Sequence, residues 1–341
     1  MRLETPVIPP PPRGISATIP PPGFTQPPRE ETNITKPYSL FRGPFVTPQD
    51  LEPRLQWIFN FMTNNTKQDL AQFKETISKL DRRELKRMAF SMTSDSDYFM
   101  CIASNEQGSK RMQKLLGISD DMDTLFCTAI VRLFLTIMTD KHASYVAVHA
   151  MRVFDDVKKE SMYELILHYV LHLACDKRGC VAFNEIITDL NHPYYINKIL
   201  DVVAHNAVSL SNDAYGNFVI QHVLKLNDLY CTRHIAVRLC GHFVDLSFRK
   251  HGSYIVERLL EKEESKVLVV GELLECEGDR LMTLASSDYG NFVVAKTLEV
   301  TKEEKIRDYL FWGLVHKLTP FLPLLRRSRG SKIATILDSV C

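Results

Sequence analysis

The chain has 341 residues, of which 45% are hydrophobic and 24% are charged, a composition typical of a soluble globular protein with a sizeable core. Its 42 Lys and Arg residues balance 41 Asp and Glu residues, which argues against a protein held on nucleic acid or a membrane mainly by bulk positive charge. Eight Cys residues without a CxxC pair indicate reduced thiols rather than a disulfide framework or a zinc knuckle.

The N-terminal segment is rich in proline. Of 17 prolines, 14 lie in the first 53 residues, including the runs Pro9–Pro12 and Pro20–Pro22. Proline removes backbone donors and disfavours helix at the preceding residue, so we predict a disordered or polyproline-II tail over residues 1–50. Such a tail is either a plain extension or a ligand for an SH3 or WW domain. The segment MRLETPVIPPPP has no apolar core, so we do not expect a secretory signal.

From Leu51 onward the apolar residues recur at helical spacing. Leu55, Ile58, Phe59 and Met62 illustrate the pattern, and no sustained alternation of period two predicts a sheet. We therefore predict an all-α fold of short helices. Residues 51–88 are expected to hold an N-terminal cap or a decayed repeat, and residues 89–341 a repeat domain.

An internal repeat determines the predicted architecture. The segments DAYGNFVIQHVL, RKHGSYIVERLL and SDYGNFVVAKTL share one pattern: Gly, then Asn or Ser, an aromatic residue, two β-branched residues and a closing Leu. Its first residue, which we call the frame residue, recurs at spacings of 35, 36, 37, 36, 38 and 40 residues. The frame residues are Gly108, Ala143, Gly179, Gly216, Gly252, Gly290 and Gly330. A unit of this length cannot bury its apolar face alone, so neighbouring units must stack into a solenoid.

The repeated helices of the Gly216 and Gly252 units carry three polar or aromatic positions with chemistry suited to unpaired bases. Asn217 and Gln221 are four residues apart and therefore share one helix face, with Phe218 beside them. We call the position of Asn217 the first edge position, that of Gln221 the second edge position and that of Phe218 the platform. Two side chains four apart can bracket the edge of one base, while the aromatic platform stacks on its face. Amides suit a uracil edge, and a carboxylate such as Glu257 suits the adjacent N–H donors of guanine.

These motifs resemble the repeats of the Pumilio family of RNA-binding proteins. The match is close in GNFVIQHVL, HGSYIVERLL and YGNFVVAKTL, and looser over the rest of the chain from about Ala89. The resemblance implies a right-handed α-solenoid, a crescent of about six to seven three-helix repeats whose concave face reads single-stranded RNA, one base per repeat. The RNA runs antiparallel to the protein. The family normally has eight repeats, so the chain is a divergent member with a reduced set, ending in an atypical cap around Gly330.

The resemblance also assigns bases to the last three complete units. The Gly290 unit, with Asn291 and Phe292, takes a first U, and Ala295 removes one of its edge contacts. The Gly252 unit takes G, and the Gly216 unit takes a second U. The residues carried over to these two units are Ser253, Tyr254 and Glu257, and Asn217, Phe218 and Gln221.

The three preceding units depart further from the family pattern. Cys180 matches an adenine-type position, but Asn184 stands where Gln is expected. In the Ala143 unit Ser144 and Tyr145 are in place, whereas Val148 cannot read a base edge. The Gly108 unit again matches an adenine type through Ser109, Lys110 and Gln113. The implied element is UGU, A, a tolerated base, then A, bound more weakly than by a full repeat set.

The resemblance implies a regulator of translation and mRNA stability that acts at 3′ untranslated regions, with translational-repression or deadenylation factors as partners. We expect a cytoplasmic monomer without cofactor or metal, and leave a nuclear fraction open. The alternative is a solenoid scaffold for protein interactions whose RNA reading has decayed. No catalytic motif supports an enzyme, and His168 and His172, although four apart, lack a third metal ligand. The Arg326–Arg329 cluster is either a cap surface or a phosphate contact near the RNA 5′ end.

Overall fold

A computed structural model describes residues 52–303 and 308–340, and every regular element within these ranges is helical. The predicted all-α fold is thus confirmed. The tail predicted for residues 1–50 lies outside the described residues. Within the described ranges no helix is long and apolar enough to cross a membrane.

The helices form three parallel series along the chain. The inner series consists of α1 (Pro53–Thr63), α5 (Glu106–Leu115), α8 (Ala143–Val153), α10 (Gly179–Asp189), α13 (Gly216–Lys225), α16 (Lys250–Leu260), α19 (Gly290–Lys302) and α22 (Ser331–Asp338). Each packs against the next, so the helices that carry the repeated motif form one continuous row. This stacking confirms the predicted solenoid.

The outer series forms the second layer. It consists of α3 (Arg82–Thr93), α6 (Asp120–Arg132), α9 (Asp156–Ala174), α11 (Pro193–His205), α14 (Leu229–Leu239), α17 (Glu263–Glu275) and α20 (Asp308–Leu318), each packed against the next. The helix α2 (Lys67–Lys79) precedes the first unit. The domain boundary between residues 88 and 89 stays a prediction; α3, which stacks against α6, spans it.

Short helices connect the two series within most units. They are α4 (Ser96–Ala103), α7 (Phe134–Met138), α12 (Ala207–Asn212), α15 (Phe243–Ser247), α18 (Gly278–Ser286) and α21 (Leu322–Leu325), the last preceded by a 3₁₀ turn at Thr319–Phe321. The third unit differs from the predicted three helices, because α9 runs unbroken for 19 residues and replaces two of them. The sequence contains no Gly, Pro, Asn or Asp between Glu164 and Cys175 that would end the helix earlier.

Close backbone approach explains the glycines of the repeat. A Cβ atom at Gly252 would lie 2.3 Å from the Leu246 carbonyl oxygen, and one at Gly108 would lie 2.0 Å from that of Ile102. These carbonyls belong to the short helix of the same unit, so the glycine lets the inner helix pass directly against it. The core lies between the inner and outer series, where apolar side chains such as Ile255 and Val269 are fully buried.

Candidate nucleic-acid interface

The platform side chains form an exposed row along the inner helices. The five apolar or aromatic ones are 44–58% exposed, whereas the residues on either side of each are buried. They are Tyr145, Val181, Phe218, Tyr254 and Phe292, and Lys110 occupies the same position in α5. Each of these six inner helices therefore has one exposed residue at the platform position. Four of the six positions offer a ring face on which a base could stack.

The first edge positions lie beneath this surface. Their side chains are only 1–8% exposed; the residues are Ser109, Ser144, Cys180, Asn217, Ser253 and Asn291. The sequence predicts that they contact a base directly, and this contact stays a prediction. Their burial follows from the close approach at the frame glycine, which places the next residue against the preceding turn. What they touch in the structure is mainly backbone.

The Gly216 unit shows how a buried first edge residue orients the second. The Asn217 amide donates from Nδ2 to the carbonyl oxygens of Asp213 at 2.8 Å and Ala214 at 3.1 Å. This leaves Asn217 Oδ1 to accept a hydrogen bond from Gln221 Nε2 at 3.1 Å. Gln221 is half-buried and its amide is oriented by this bond, while Oε1 makes no hydrogen bond with a described residue.

The Gly108 unit repeats this arrangement with different residues. Gln113 Nε2 donates to Ser109 Oγ at 3.1 Å, and Ser109 Oγ donates to the His142 carbonyl oxygen of the next inner helix at 2.6 Å. The hydroxyl thus joins two neighbouring units and fixes the glutamine above it. In both units the pair four residues apart meets as the helix spacing predicts.

Glu257 is the ionisable group of the interface with the clearest role. Its side chain is half-buried and makes no hydrogen bond or ion pair with any described residue, since Ser253 Oγ donates instead to the Lys250 carbonyl oxygen at 3.0 Å. Burial, and secondly the nearby Glu261 carboxylate, raise the pKa of Glu257, while Lys296 and Lys332 partly offset this. A partly desolvated carboxylate with open lone pairs is a strong acceptor for paired N–H donors.

The second edge residues of three other units do not present a partly exposed hydrogen-bond acceptor as Glu257 does. Val148 and Ala295 are buried in the core, which fits the sequence interpretation that neither reads a base edge. Asn184 Oδ1 is buried without a hydrogen-bond partner among the described residues. An unpaired buried amide oxygen costs free energy, so Asn184 lacks the ordered pairing that Gln221 and Gln113 have.

The predicted residues of the first two units, Ser109, Lys110, Gln113, Ser144 and Tyr145, come together in one groove. It has a volume of about 480 Å³ and lies between α5, α8 and α10. Its rim also carries Lys141, His142 and Arg178, basic residues that the sequence reasoning missed. Their place in this groove could have been predicted from the repeat, because each lies one or two residues before a frame residue. In the C-terminal half, His251 occupies such a position and meets Phe218 edge-on with ring centroids 5.2 Å apart.

A second missed signal lies three residues before the frame residue. The side chains there accept hydrogen bonds from the backbone N–H groups that open the inner helix, for example Asp213 Oδ1 from Gly216 N at 2.7 Å. The residues are Asn105, Asp140, Asp176, Asp213 and Ser287. Arg249 breaks the series in the Gly252 unit and donates instead to Asn212.

Other candidate sites from the sequence lie away from this row. Arg326 pairs with Asp338 at 2.7 Å and Arg329 with Asp288 at 2.8 Å, so both charges are balanced within the protein. His168 and His172 lie exposed on the outer helix α9, on either side of Tyr169. Within residues 52–303 and 308–340, no group of three or more His, Cys, Asp or Glu is placed to hold a metal ion.

The sequence matches a family model described as the Pumilio-family RNA binding repeat over residues 134–147, 206–229 and 242–274. Pumilio homolog 18 of Arabidopsis thaliana is 54% identical over 330 residues, which are 97% of this chain and 93% of that protein. A second pumilio homolog of the same plant, number 20, is 57% identical over 331 residues, again 97% and 93% of the two chains.

Two solved structures share the fold at low sequence identity. One is the Puf4 RNA binding domain bound to the HO endonuclease RNA 3′ UTR recognition sequence, with a TM-score of 0.72, 18% identity and coverage of 83% of this chain and 88% of that one. The other is the RNA-binding domain of yeast Puf5p bound to SMX2 RNA, with a TM-score of 0.66, 15% identity and 86% coverage of both chains.

Proposed function

Because the chain belongs to the Pumilio family, we propose that it binds single-stranded RNA sequence-specifically and recognises UGU-containing elements. The observation that carries this proposal is the exposed row of platform positions on the six inner helices from α5 to α19, with edge residues four apart beside the platforms of α5, α13 and α16. A protein scaffold would not need a stacking surface repeated once per unit with hydrogen-bonding groups beside it. The row has the geometry of a surface that takes one base per unit.

The Gly216 unit is proposed to bind uracil. Phe218 supplies the ring face, held at its edge by His251, and Gln221 supplies the hydrogen bonds. Because Asn217 fixes the orientation of the Gln221 amide, the uracil edge meets an ordered acceptor rather than a freely rotating side chain. We therefore assign Asn217 chiefly a positioning role, with Gln221 in contact with the base.

The Gly252 unit is proposed to bind guanine. Tyr254 supplies the ring face, and the Glu257 carboxylate accepts from the two N–H groups of the guanine edge. A charge-assisted pair of this kind contributes about 1.5–3 kcal/mol, more than the neutral contacts of the flanking units. The Gly290 unit, with Asn291, Phe292 and the buried Ala295, is proposed to take the first U mainly by stacking.

We further propose that the protein acts on 3′ untranslated regions in the cytoplasm, as a monomer that lowers translation or mRNA stability through recruited repression or deadenylation factors. The similar Puf4 domain was solved with a 3′ UTR recognition sequence, which supports this class of target.

Fluorescence polarisation of the full chain with a labelled UGUAUA RNA tests the proposal. We expect binding that weakens at least about tenfold when UGU is replaced by ACA, because the guanine contact alone contributes that much. Equal, salt-sensitive binding to both RNAs would contradict base reading and favour the scaffold alternative. Immunoprecipitation of the tagged protein from cells, followed by sequencing of bound RNA, tests whether the targets are 3′ untranslated regions.

A further inference from the structure

The helix α1, which precedes the first complete unit, continues the inner row. It packs against α5 on the side opposite to α8, as one more inner helix would. The sequence left open whether this segment is a cap or a decayed repeat, and it contains no frame glycine. Its exposure pattern nevertheless follows the inner helices: Ile58 and Met62 are buried four residues apart, as Arg111 and Leu115 are in α5.

This register places Trp57 at the platform position of α1. Trp57 directly precedes the buried Ile58, as Lys110 precedes Arg111 and Phe218 precedes Val219. Its indole is 55% exposed, within the range of the other platforms. Gln56 and Asn60, four residues apart, then occupy the two edge positions, and both are exposed. Gln56 is exposed, whereas the first edge residues of the six units are buried.

The indole is held rigidly. Phe61 stacks against it with ring centroids 5.0 Å apart and an angle of 9° between the planes, and Phe61 in turn contacts Phe73 of α2 at 5.3 Å. Trp57 is thus stacked on protein through one ring contact, while just over half of its surface is exposed. A preorganised ring loses little conformational entropy when a base stacks on it.

The buried Arg111 of α5 fixes α1 on the row. Its guanidinium donates to the carbonyl oxygens of Phe61, at 2.5 Å, and Asn64, at 2.8 Å, at the C-terminal end of α1, and it lies 5.4 Å from the centre of the Phe73 ring. A cation at a helix C-terminus is stabilised by the helix dipole. The first inner helix is therefore joined to α5 by charge-assisted hydrogen bonds and not by apolar packing alone.

We propose that Trp57 is a seventh stacking platform, which binds the nucleobase immediately 3′ of the six-base element, with Gln56 and Asn60 available to its edge. This proposal rests on the proposed function, because an antiparallel RNA read by α19 through α5 runs next onto α1. Gln56 and Asn60, at the two edge positions, carry amides, whose donors and acceptors match a base edge and favour a base over a protein partner.

The experiment compares three RNAs on the full chain: UGUAUA, UGUAUAU and the same heptamer with an abasic seventh position. Stacking of one further base contributes about 1–3 kcal/mol, so the heptamer should bind roughly 5- to 150-fold more tightly than the other two. In Trp57→Ala the three RNAs should bind alike, with hexamer affinity unchanged. Trp57→Phe, which keeps a ring, should retain most of the gain and controls for disturbed packing of α1.

The two tryptophans of the chain permit a direct optical readout. Trp312→Phe leaves Trp57 as the fluorophore, and its emission should be quenched by the heptamer but not by the abasic RNA. Trp57→Phe leaves Trp312, on the outer helix α20, and should show no such difference. A heptamer gain that survives in Trp57→Ala, or equal affinity of heptamer and abasic RNA for the wild type, would overturn the proposal.

Two further outcomes are distinguishable. If the hexamer itself shows no preference for UGU, the proposed function fails and the seventh platform fails with it. If the hexamer is read normally but Trp57→Ala alters only self-association in sedimentation experiments, the indole is a protein contact and only the seventh platform is refuted.

Discussion

The C-terminal inner helices α13, α16 and α19 and the N-terminal inner helices α5, α8 and α10 share one frame but present different surfaces. In both groups the first edge residue is buried and the platform is exposed. The C-terminal platforms are all aromatic, whereas the N-terminal group has Tyr145 between Lys110 and Val181. The comparison teaches that the exposed platform varies from unit to unit while the buried frame is kept, so a unit can change its exposed surface without losing its fold.

Removing aromatic platforms tests this asymmetry with the largest expected effect. The double variant Phe218→Ala with Tyr254→Ala should weaken binding to UGUAUA by about 30-fold or more, because each stacked base contributes about 1–3 kcal/mol. The matched variant Lys110→Ala with Val181→Ala in the N-terminal group should cost much less. Fluorescence polarisation measures both affinities, and thermal unfolding checks that both variants fold. Equal losses would show that the two groups do not differ in the way we describe.

Neutralising the guanine contact should have the next largest effect. Glu257→Gln should weaken binding to UGU by about tenfold, since a hydrogen bond to a charged group is lost, and should leave binding to UUU nearly unchanged. Glu261→Gln, at the residue that follows α16, is the matched control because it removes a carboxylate that pairs with Arg258 and Lys296 instead. If the control lowers UGU binding as much as Glu257→Gln does, the effect is one of net charge and not of base reading.

The shared frame can be tested through stability. Gly252→Ala should lower the free energy of unfolding by about 1–3 kcal/mol, because the new Cβ would lie 2.3 Å from the Leu246 carbonyl oxygen and force the backbone apart. The reverse change at the equivalent position, Ala143→Gly, should cost only about 0.5–1 kcal/mol of helix propensity. Urea denaturation followed by circular dichroism measures both. Unchanged stability in Gly252→Ala would contradict the close approach.

The pH dependence of binding should be the smallest of these effects. In the proposed contact the ionised form of Glu257 accepts the guanine donors, so protons should compete with RNA and affinity should fall as the pH falls through the pKa of Glu257. Because burial raises that pKa above the ordinary value of about 4.3, the loss should begin at a higher pH than for an exposed glutamate. Polarisation between pH 5 and pH 8 should show the decline for UGU, and Glu257→Gln should flatten it. A decline that persists in the variant would assign it to another group.

Much of the fold followed from the sequence, because the repeat spacing specified both the units and their stacking. The exposure of Tyr254 and the burial of Ile255 and Val256 follow directly from helix periodicity. The unbroken α9 was also readable in principle, since its sequence lacks any residue that ends a helix. The capping residues such as Asp213 recur three residues before the frame residue, so the start of these inner helices is also predictable from the repeat.

The burial of the first edge residues could not be predicted from helix periodicity. Helix spacing shows that Asn217 and Gln221 share a face, but not that the preceding turn covers the first of them. That depends on how closely two helices approach, which is a property of the packed unit. The raised pKa of Glu257 likewise depends on side chains contributed by neighbouring helices, including Lys296 and Lys332.

We propose that the edge pair selects the base in the Gly216 and Gly252 units, and an exchange of pairs within the chain tests this most directly. Ser253→Asn with Glu257→Gln gives α16 the pair present in α13, while Tyr254 is retained. Polarisation with UGUAUA and UUUAUA should show the preference at the second base change from G in the wild type to U in the variant. A variant that still prefers G, or that loses both RNAs equally while remaining folded, would contradict the account.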